Sequence, residues 1–354
     1  MQDSIRLVEQ ACQGLRPART PIFDLLLNDA IIEHFGGARL DGANDEEVSI
    51  RAVSTALDGS RHIAIPDVDG RTWHDAQGNL HIAARWTSWI QTHALTSEEQ
   101  WVGWIKADIE QLESQPAPTA AECAAEEMRQ AALNQRLHGT AYIHCTPSTA
   151  INDMLFGRNL GLAMFSYLWA DERDLILRWM RAIEAQQQRN ILRTAHRSRS
   201  NLAMIYSDVA FKQHPMFSPH TFRAFGFFDD VAAICAACHA RGLQVIFHSD
   251  GDIMSLVNDL VAAGIDGLNP LEKAAGMDVY ALRRRYPQLI LVGGVDVTHL
   301  LREGTPDDVR AETQRMIREL GSEGRLLIGS STEVSDHVPL ANYLAFRDEV
   351  FACA

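Results

Sequence analysis

Eight short apolar or β-branched runs recur along this chain, at 20–26, 62–68, 141–147, 201–208, 243–250, 265–272, 289–296 and 325–332. Most are separated by stretches with helical periodicity, among them SLVNDLVAAG, MDVYALRRRYP and PDDVRAETQRMIREL. Strand alternating with helix predicts a parallel sheet, because a parallel neighbour is reached only through a crossover connection. Eight such units predict a closed (β/α)8 TIM barrel in preference to an open doubly wound sheet, and no GxGxxG turn follows the first run. Helix boundaries agree with that period. Thr305-Pro306-Asp307-Asp308 offers a cap, a first-turn proline and two acids, while Gly242, Gly264 and Gly321 follow periodic segments as stops. The expectation is one α/β domain over 1–354, with an N-terminal helical extension and a small hairpin insertion.

With 354 residues, 46% of them hydrophobic, the chain has ample material for one large core. A formal net charge of −14, with no long block of Lys and Arg, argues against nucleic acid and anionic membrane as partners. The N-terminus lacks the apolar core of a signal peptide, and no segment approaches the roughly 18 continuous apolar residues of a membrane span, so the expected address is the cytoplasm. Six cysteines without a paired framework are expected to be reduced. Cys235-Ala-Ala-Cys238-His239 matches a haem-attachment spacing, but its setting in DDVAAICAACHARGL makes these ordinary helix residues. Between Asp69 and Gln100, DAQGN flanked by β-like runs predicts the hairpin. Segment 112–125, with two prolines, predicts a surface loop leading to a helix.

In such a barrel the C-terminal strand ends and the loops after them build the active site. The residues at those positions are Asn28, Asp29, Asp67, His144, Asp208, His248, Asp250, Glu272, Asp296, Thr332 and Glu333. Several have an equally good structural role. Asn28 and Asp29 suit a helix cap, Asp67 after Pro66 and Asp296 after a Gly-Gly pair suit turns, and His144 suits a hydrogen-bonded imidazole. His248 and Asp250 stand out because strand residues two apart share a face, and imidazole with carboxylate suits zinc or another divalent ion. Two ligands do not complete a site, and Glu272, Asp208 or Glu333 is the candidate third. Without metal the same carboxylates would do acid and base work.

HSDGDIMSLVNDLVAAGIDGLNPLEKAAGMDVYALRRRYPQLILVGGVD, with FSPHTFRAF before it and VPLANYLAF after it, resembles the uroporphyrinogen decarboxylase superfamily. The resemblance implies a (β/α)8 barrel and two branches of chemistry, decarboxylation of a porphyrinogen or cobalamin-dependent methyl transfer. Decarboxylases of the family carry RQAGR after the first Thr-Pro, whose arginines bind substrate carboxylates; here those positions are Leu26 and Ala30. The family's aspartate falls on Asp67, and the late histidine of its GHG motif falls on Ser331. An acidic rim lacking those arginines repels an octacarboxylate by about 1 kcal/mol or more per close like-charge pair.

The superfamily's zinc methyltransferases bind the ion through His-x-Cys and a later Cys. His248-Ser249-Asp250 keeps the histidine and substitutes aspartate for that cysteine, and IGSSTEV has no cysteine. The resemblance therefore implies a methyltransferase acting between a small methylated substrate, such as a methyl ether, and a corrinoid protein, with zinc assistance left open. In that reading His248, Asp250 and Glu333 hold metal; Asp67, Asp208, Glu272 and Asp296 serve catalysis; Asn28, Asp29, His144 and Tyr206 position substrate. A decarboxylase or other lyase centred on Asp67, and a non-catalytic tetrapyrrole or corrinoid binder, are the alternatives. The family's decarboxylases also make a homodimer the expected assembly.

Overall fold

The computed structural model describes residues 4–196 and 200–353. In chain order the strands are β1 (Leu26–Leu27), β2 (Gly59–Ser60), β3 (Thr72–His74), β4 (Leu80–Ala84), β5 (Thr87–Thr92), β6 (Ala141–Tyr142), β7 (Leu202–Tyr206), β8 (Gln244–His248), β9 (Gly267–Asn269), β10 (Ile290–Val295), β11 (Leu326–Ser330) and β12 (Val334–Ser335). Strands β7 to β11 form one parallel sheet in sequence order. Short parallel pairings continue beyond both edges: Cys145 bridges Ala203, β6 pairs with β2, Phe23 bridges Gly59, and Ile22 bridges Ile328. The mixed α/β architecture and parallel sheet follow the alternation of strand and helix in the sequence.

Side chains along β7, β8 and β10 alternate between two cores, as period-2 geometry requires. Ala203, Ile205, Val245, Phe247 and Leu291 join the large core beneath the helices. Leu202, Met204, Ile246, Ile290 and Val292 face a second core with Phe23, Ala141 and Leu327. The helix Ser4–Cys12 adds Val8, Ala11 and Cys12 to this inner core. Its C-terminal carbonyl at Cys12 accepts from Gln244 and Arg325, residues that open β8 and precede β11, so the helix sits at the N-terminal ends of the strands. Arg19 and Asp58 form a buried two-armed ion pair at 2.5 and 2.6 Å, and Asp58 also accepts from Ser4, tying this helix to β2. With that end filled, a ligand site belongs at the other.

Several local expectations change. The run 62–68 is not a strand; β2 lies just before it, where Gly59 is packed so closely that a Cβ would sit 2.6 Å from the Phe23 ring. Pro66 removes a ladder donor from the expected strand, and the Asp67 amide instead donates to the Arg85 carbonyl beyond β4. The segment expected as a hairpin is a three-stranded antiparallel sheet, β3–β4–β5. The loop foreseen over 112–125 shrinks to 115–119, because Thr119 and Glu122 form a capping box that starts the helix Ala120–Arg136. Thr305 and Asp308 form another, as the sequence suggests. All six cysteines are free, and Cys235 and Cys238 are buried in the helix Phe227–His239. Among the described residues no helix is long and apolar enough to cross a membrane.

Gly329 marks the tightest approach, since a Cβ there would stand 1.9 Å from the Phe23 carbonyl oxygen. Gly329→Ala is therefore expected to cost about 3 kcal/mol, read as a lowered urea midpoint with unchanged m-value. Asp230 gives a pH-dependent counterpart. It accepts the Ala150 amide at 2.7 Å, and burial pushes its carboxyl up to about 7. The folded protein keeps this proton where the unfolded chain has released it, so the associated stability is full below about pH 4 and is lost as pH rises towards 7. Asp230→Asn keeps an acceptor oxygen and should flatten that slope. Its urea midpoint should gain on the wild type between pH 5 and pH 8.

Candidate functional site

Parallel pairing without a slip sets Tyr206 beside His248, and His248 beside Asn269, at the C-terminal ends of β7, β8 and β9. The Tyr206 and His248 rings lie 5.0 Å apart. Asn269 Oδ1 is 2.7 Å from His248 Nδ1, while Asn269 Nδ2 donates to the Val292 carbonyl at 3.2 Å. The second bond fixes the amide's orientation, because a flipped amide would set two oxygens against each other. His248 Nδ1 must then carry the proton, leaving the Nε2 lone pair free. Burial holds this imidazole down to about 4, so it is neutral at physiological pH.

Nε2 faces two carboxylates. Asp208 Oδ1 is 3.7 Å away, and ligand atoms of Asp208, His248 and Asp250 all lie within 4.8 Å of one another. Asp208 is anchored in turn by the Asp250 amide, which donates to its Oδ1 at 3.1 Å. Asp250 Oδ1 is buried with no hydrogen-bond partner among the described residues. Burial first, then the charges of Asp208, Glu333 and Glu272, push the Asp250 carboxyl up to about 7. A neutral imidazole lone pair, an unpartnered carboxylate oxygen and a second carboxylate fit a divalent ion, and three protein ligands leave coordination positions open for substrate.

The loop after β8 is held tightly around this cluster. Gly251 has φ +83°, and a Cβ there would meet the Phe211 carbonyl oxygen at 2.5 Å, so only glycine suits the turn. Its amide donates to Glu272 Oε2 at 3.2 Å, and Lys212 Nζ stands 3.8 Å from Glu272 Oε1. Glu333 is raised by burial and feels Asp208, Glu272 and Arg61. The cluster thus brings together Asp208, His248, Asp250 and Tyr206, with Glu272 supporting the loop and Glu333 within electrostatic reach.

Other expected site residues are engaged elsewhere. Asn28 caps the helix Asp29–Gly36 and donates to the Ser335 and Val338 carbonyls, and Asp29 pairs with Arg85. Asp67 is bound by Arg71, whose hydrogen bonds hold its carboxyl down to about 2. His144 turns to Asn134 of the helix Ala120–Arg136 at 2.8 Å. Asp296 accepts the Thr298 and His299 amides as a cap. Three residues that sequence reasoning passed over belong to the site region. Asn269 is hidden inside IDGLNPLE, and Asp24 is a buried carboxyl raised to about 6, accepting from Ser330. Arg61 directly follows β2 and donates to the Tyr206 hydroxyl at 3.0 Å. The signal for Arg61 is its place one residue after a strand end, which becomes visible only with β2 in its observed register.

Parallel strands carrying a carboxylate–imidazole cluster at their C-terminal ends define an α/β protein with a candidate ligand site where such folds place theirs. Residues 203–352, from β7 through the last helix, match the family model for uroporphyrinogen decarboxylase (URO-D). That match covers the C-terminal part of the chain and agrees with the resemblance its sequence shows. Among solved structures, a methyltransferase from Methanosarcina mazei is similar over 99% of this chain and 98% of that chain, with a TM-score of 0.65 and 13% identity. At that identity the likeness carries the fold and not the chemistry. No curated protein matches this chain.

With Asn269 holding the His248 proton on Nδ1, Asn269→Leu should weaken Zn2+ binding roughly 10- to 100-fold, measured by competition with a chromophoric chelator. Asn269→Asp keeps the acceptor and should restore most of that affinity. Equal affinity in all three proteins would show that Asn269 does not orient the imidazole.

Proposed function

We propose that this chain is a methyltransferase of the superfamily, moving a methyl group from a small methylated substrate, such as a methyl ether, to the corrinoid of a partner protein. The observation that carries the reading is the convergence of Asp208, His248 and Asp250, with the buried Asp250 Oδ1 left without a hydrogen-bond partner among the described residues. The scaffold under it is read as a closed (β/α)8 barrel. The bridges at Ile22–Ile328, Phe23–Gly59 and Cys145–Ala203, and the inner core shared by six of its segments, support that closure.

An ether oxygen is a poor leaving group until it is coordinated or protonated. Asp208, His248 and Asp250 would hold a divalent ion, zinc being the first choice for this donor set, and the bound ion would polarise the oxygen as a Lewis acid. Glu333, raised by burial, would hold a proton for the departing oxygen. A reduced corrinoid on the partner would supply the electron pair for the new bond to the methyl carbon, and the old bonding pair would stay on the oxygen. Tyr206 supplies an apolar wall beside His248. Glu272 acts on the loop by fixing the Gly251 amide.

Decarboxylation of a porphyrinogen finds less support. Leu26 is buried in β1 and Ala30 lies exposed in the next helix, so neither replaces the family's arginines, and Asp67 is occupied by Arg71. Residence in the cytoplasm and a homodimeric state complete the reading.

Protein purified without chelators is expected to contain close to one equivalent of zinc by elemental analysis. Asp250→Ala should lose the ion and lower methyl transfer at least about 100-fold. Metal-free wild type together with a fully active Asp250→Ala would remove the metal from the mechanism. Incubation with uroporphyrinogen should yield no coproporphyrinogen.

A further inference from the structure

Most arginines with an acid in reach are paired with it: Arg19 with Asp58, Arg158 with Asp108 and Asp153, Arg85 with Asp29. Arg61 is not. Its charge is felt by Asp24, Asp250 and Glu333, yet among the described residues its hydrogen bonding is limited to Nη1 on the Tyr206 hydroxyl, and no carboxylate stands within ion-pair distance. The guanidinium also lies over the Tyr206 ring, 5.5 Å from its centroid, which puts it two ring contacts from His248. An arginine serving to neutralise Asp250 would bond it. Instead Asp250 Oδ1 is left without a partner among the described residues while Arg61 turns to a neutral hydroxyl.

We propose that Arg61, steadied by Tyr206, is the binding residue for a single carboxylate on the substrate, so that the methylated compound is a small monocarboxylate. This rests on the methyl-transfer reading for the identity of the reacting group, but the carboxylate slot itself does not. With a divalent ion offsetting Asp208 and Asp250, and Lys212 beside Glu272, Arg61 is the cation of this cluster that, among the described residues, makes no ion pair. A guanidinium fork matches the planar, two-oxygen face of a carboxylate. One fork takes one carboxylate. The surrounding acids disfavour a more highly charged anion such as a porphyrinogen.

The test uses benzoate and benzyl alcohol as charged and neutral probes, titrated calorimetrically into zinc-loaded and chelator-treated protein. Benzoate should bind the wild type in both forms and bind Arg61→Gln roughly tenfold more weakly or worse, with Arg61→Lys between them. Benzyl alcohol should bind all three proteins weakly and alike. Equal benzoate affinity in wild type and Arg61→Gln, as coordination to zinc alone would produce, overturns the proposal. So does benzyl alcohol matching benzoate in the wild type, or no benzoate binding at all. Should Arg61→Gln fail to fold by thermal melting, the two-probe comparison in the wild type and Arg61→Lys still decides. Benzoate selectivity without methyl transfer would keep the slot and sink the transfer reading. Methyl transfer from a neutral ether without benzoate selectivity would do the reverse.

Discussion

Unslipped parallel pairing of β7, β8 and β9 is the constraint on which the rest of the site depends. Because side chains alternate at every residue, a slip of one position in β8 would turn His248 towards the helices and deliver Phe247 to the inner face. The register is fixed far from the site, by Leu202, Met204, Ile246 and Ile290 filling the inner core and by Ala203, Ile205, Val245 and Phe247 packing outward. Burying each such side chain is worth about 1.5–3 kcal/mol, so apolar packing along the strands, and not any polar contact at their ends, holds the imidazole where it is.

The polar groups at the strand ends are in tension with one another. Asp208, Asp250, Glu272 and Glu333 share a small region, and repulsion between them opposes the fold. Backbone amides at Asp250 and Gly251 take up two of these carboxylates, and Lys212 stands beside a third oxygen. What remains uncompensated falls on Asp250 and Glu333, whose carboxyls burial raises first and the neighbouring acids raise further. A protein that kept this arrangement only for stability would do better with neutral side chains, which is why the cluster reads as a site.

Much of the architecture was legible in the sequence because β7, β8, β10 and β11 are five- or six-residue apolar runs with helices between them. His248 and Asp250 were legible for the same reason, as polar residues ending such a run. The short strand β2 was not, since Gly59 and Ser60 carry no strand signal and their place is set by close packing on Phe23 and Ala141. That single shift drew attention to Asp67 and away from Arg61. The contact of Asn269 with His248 was equally hidden, being a pairing between residues 21 positions apart that only the sheet brings together. Asn28 and Asp296 fell on the side of the capping role that their residue types also allowed.

The hydrogen bond from the Asp250 amide to Asp208 has a consequence for metal choice. It ties the second carboxylate to the backbone of the first, so the pair cannot spread to relieve its repulsion, and the donor atoms are prepared before any ion arrives. Such a rigid, acid-rich nitrogen and oxygen set has no sulfur to favour soft ions, and its intrinsic affinity should rise along the first-row series towards copper. Which ion such a site would take in the cell would then be a matter of what the cell makes available, and the protein would depend on metal homeostasis for its fidelity.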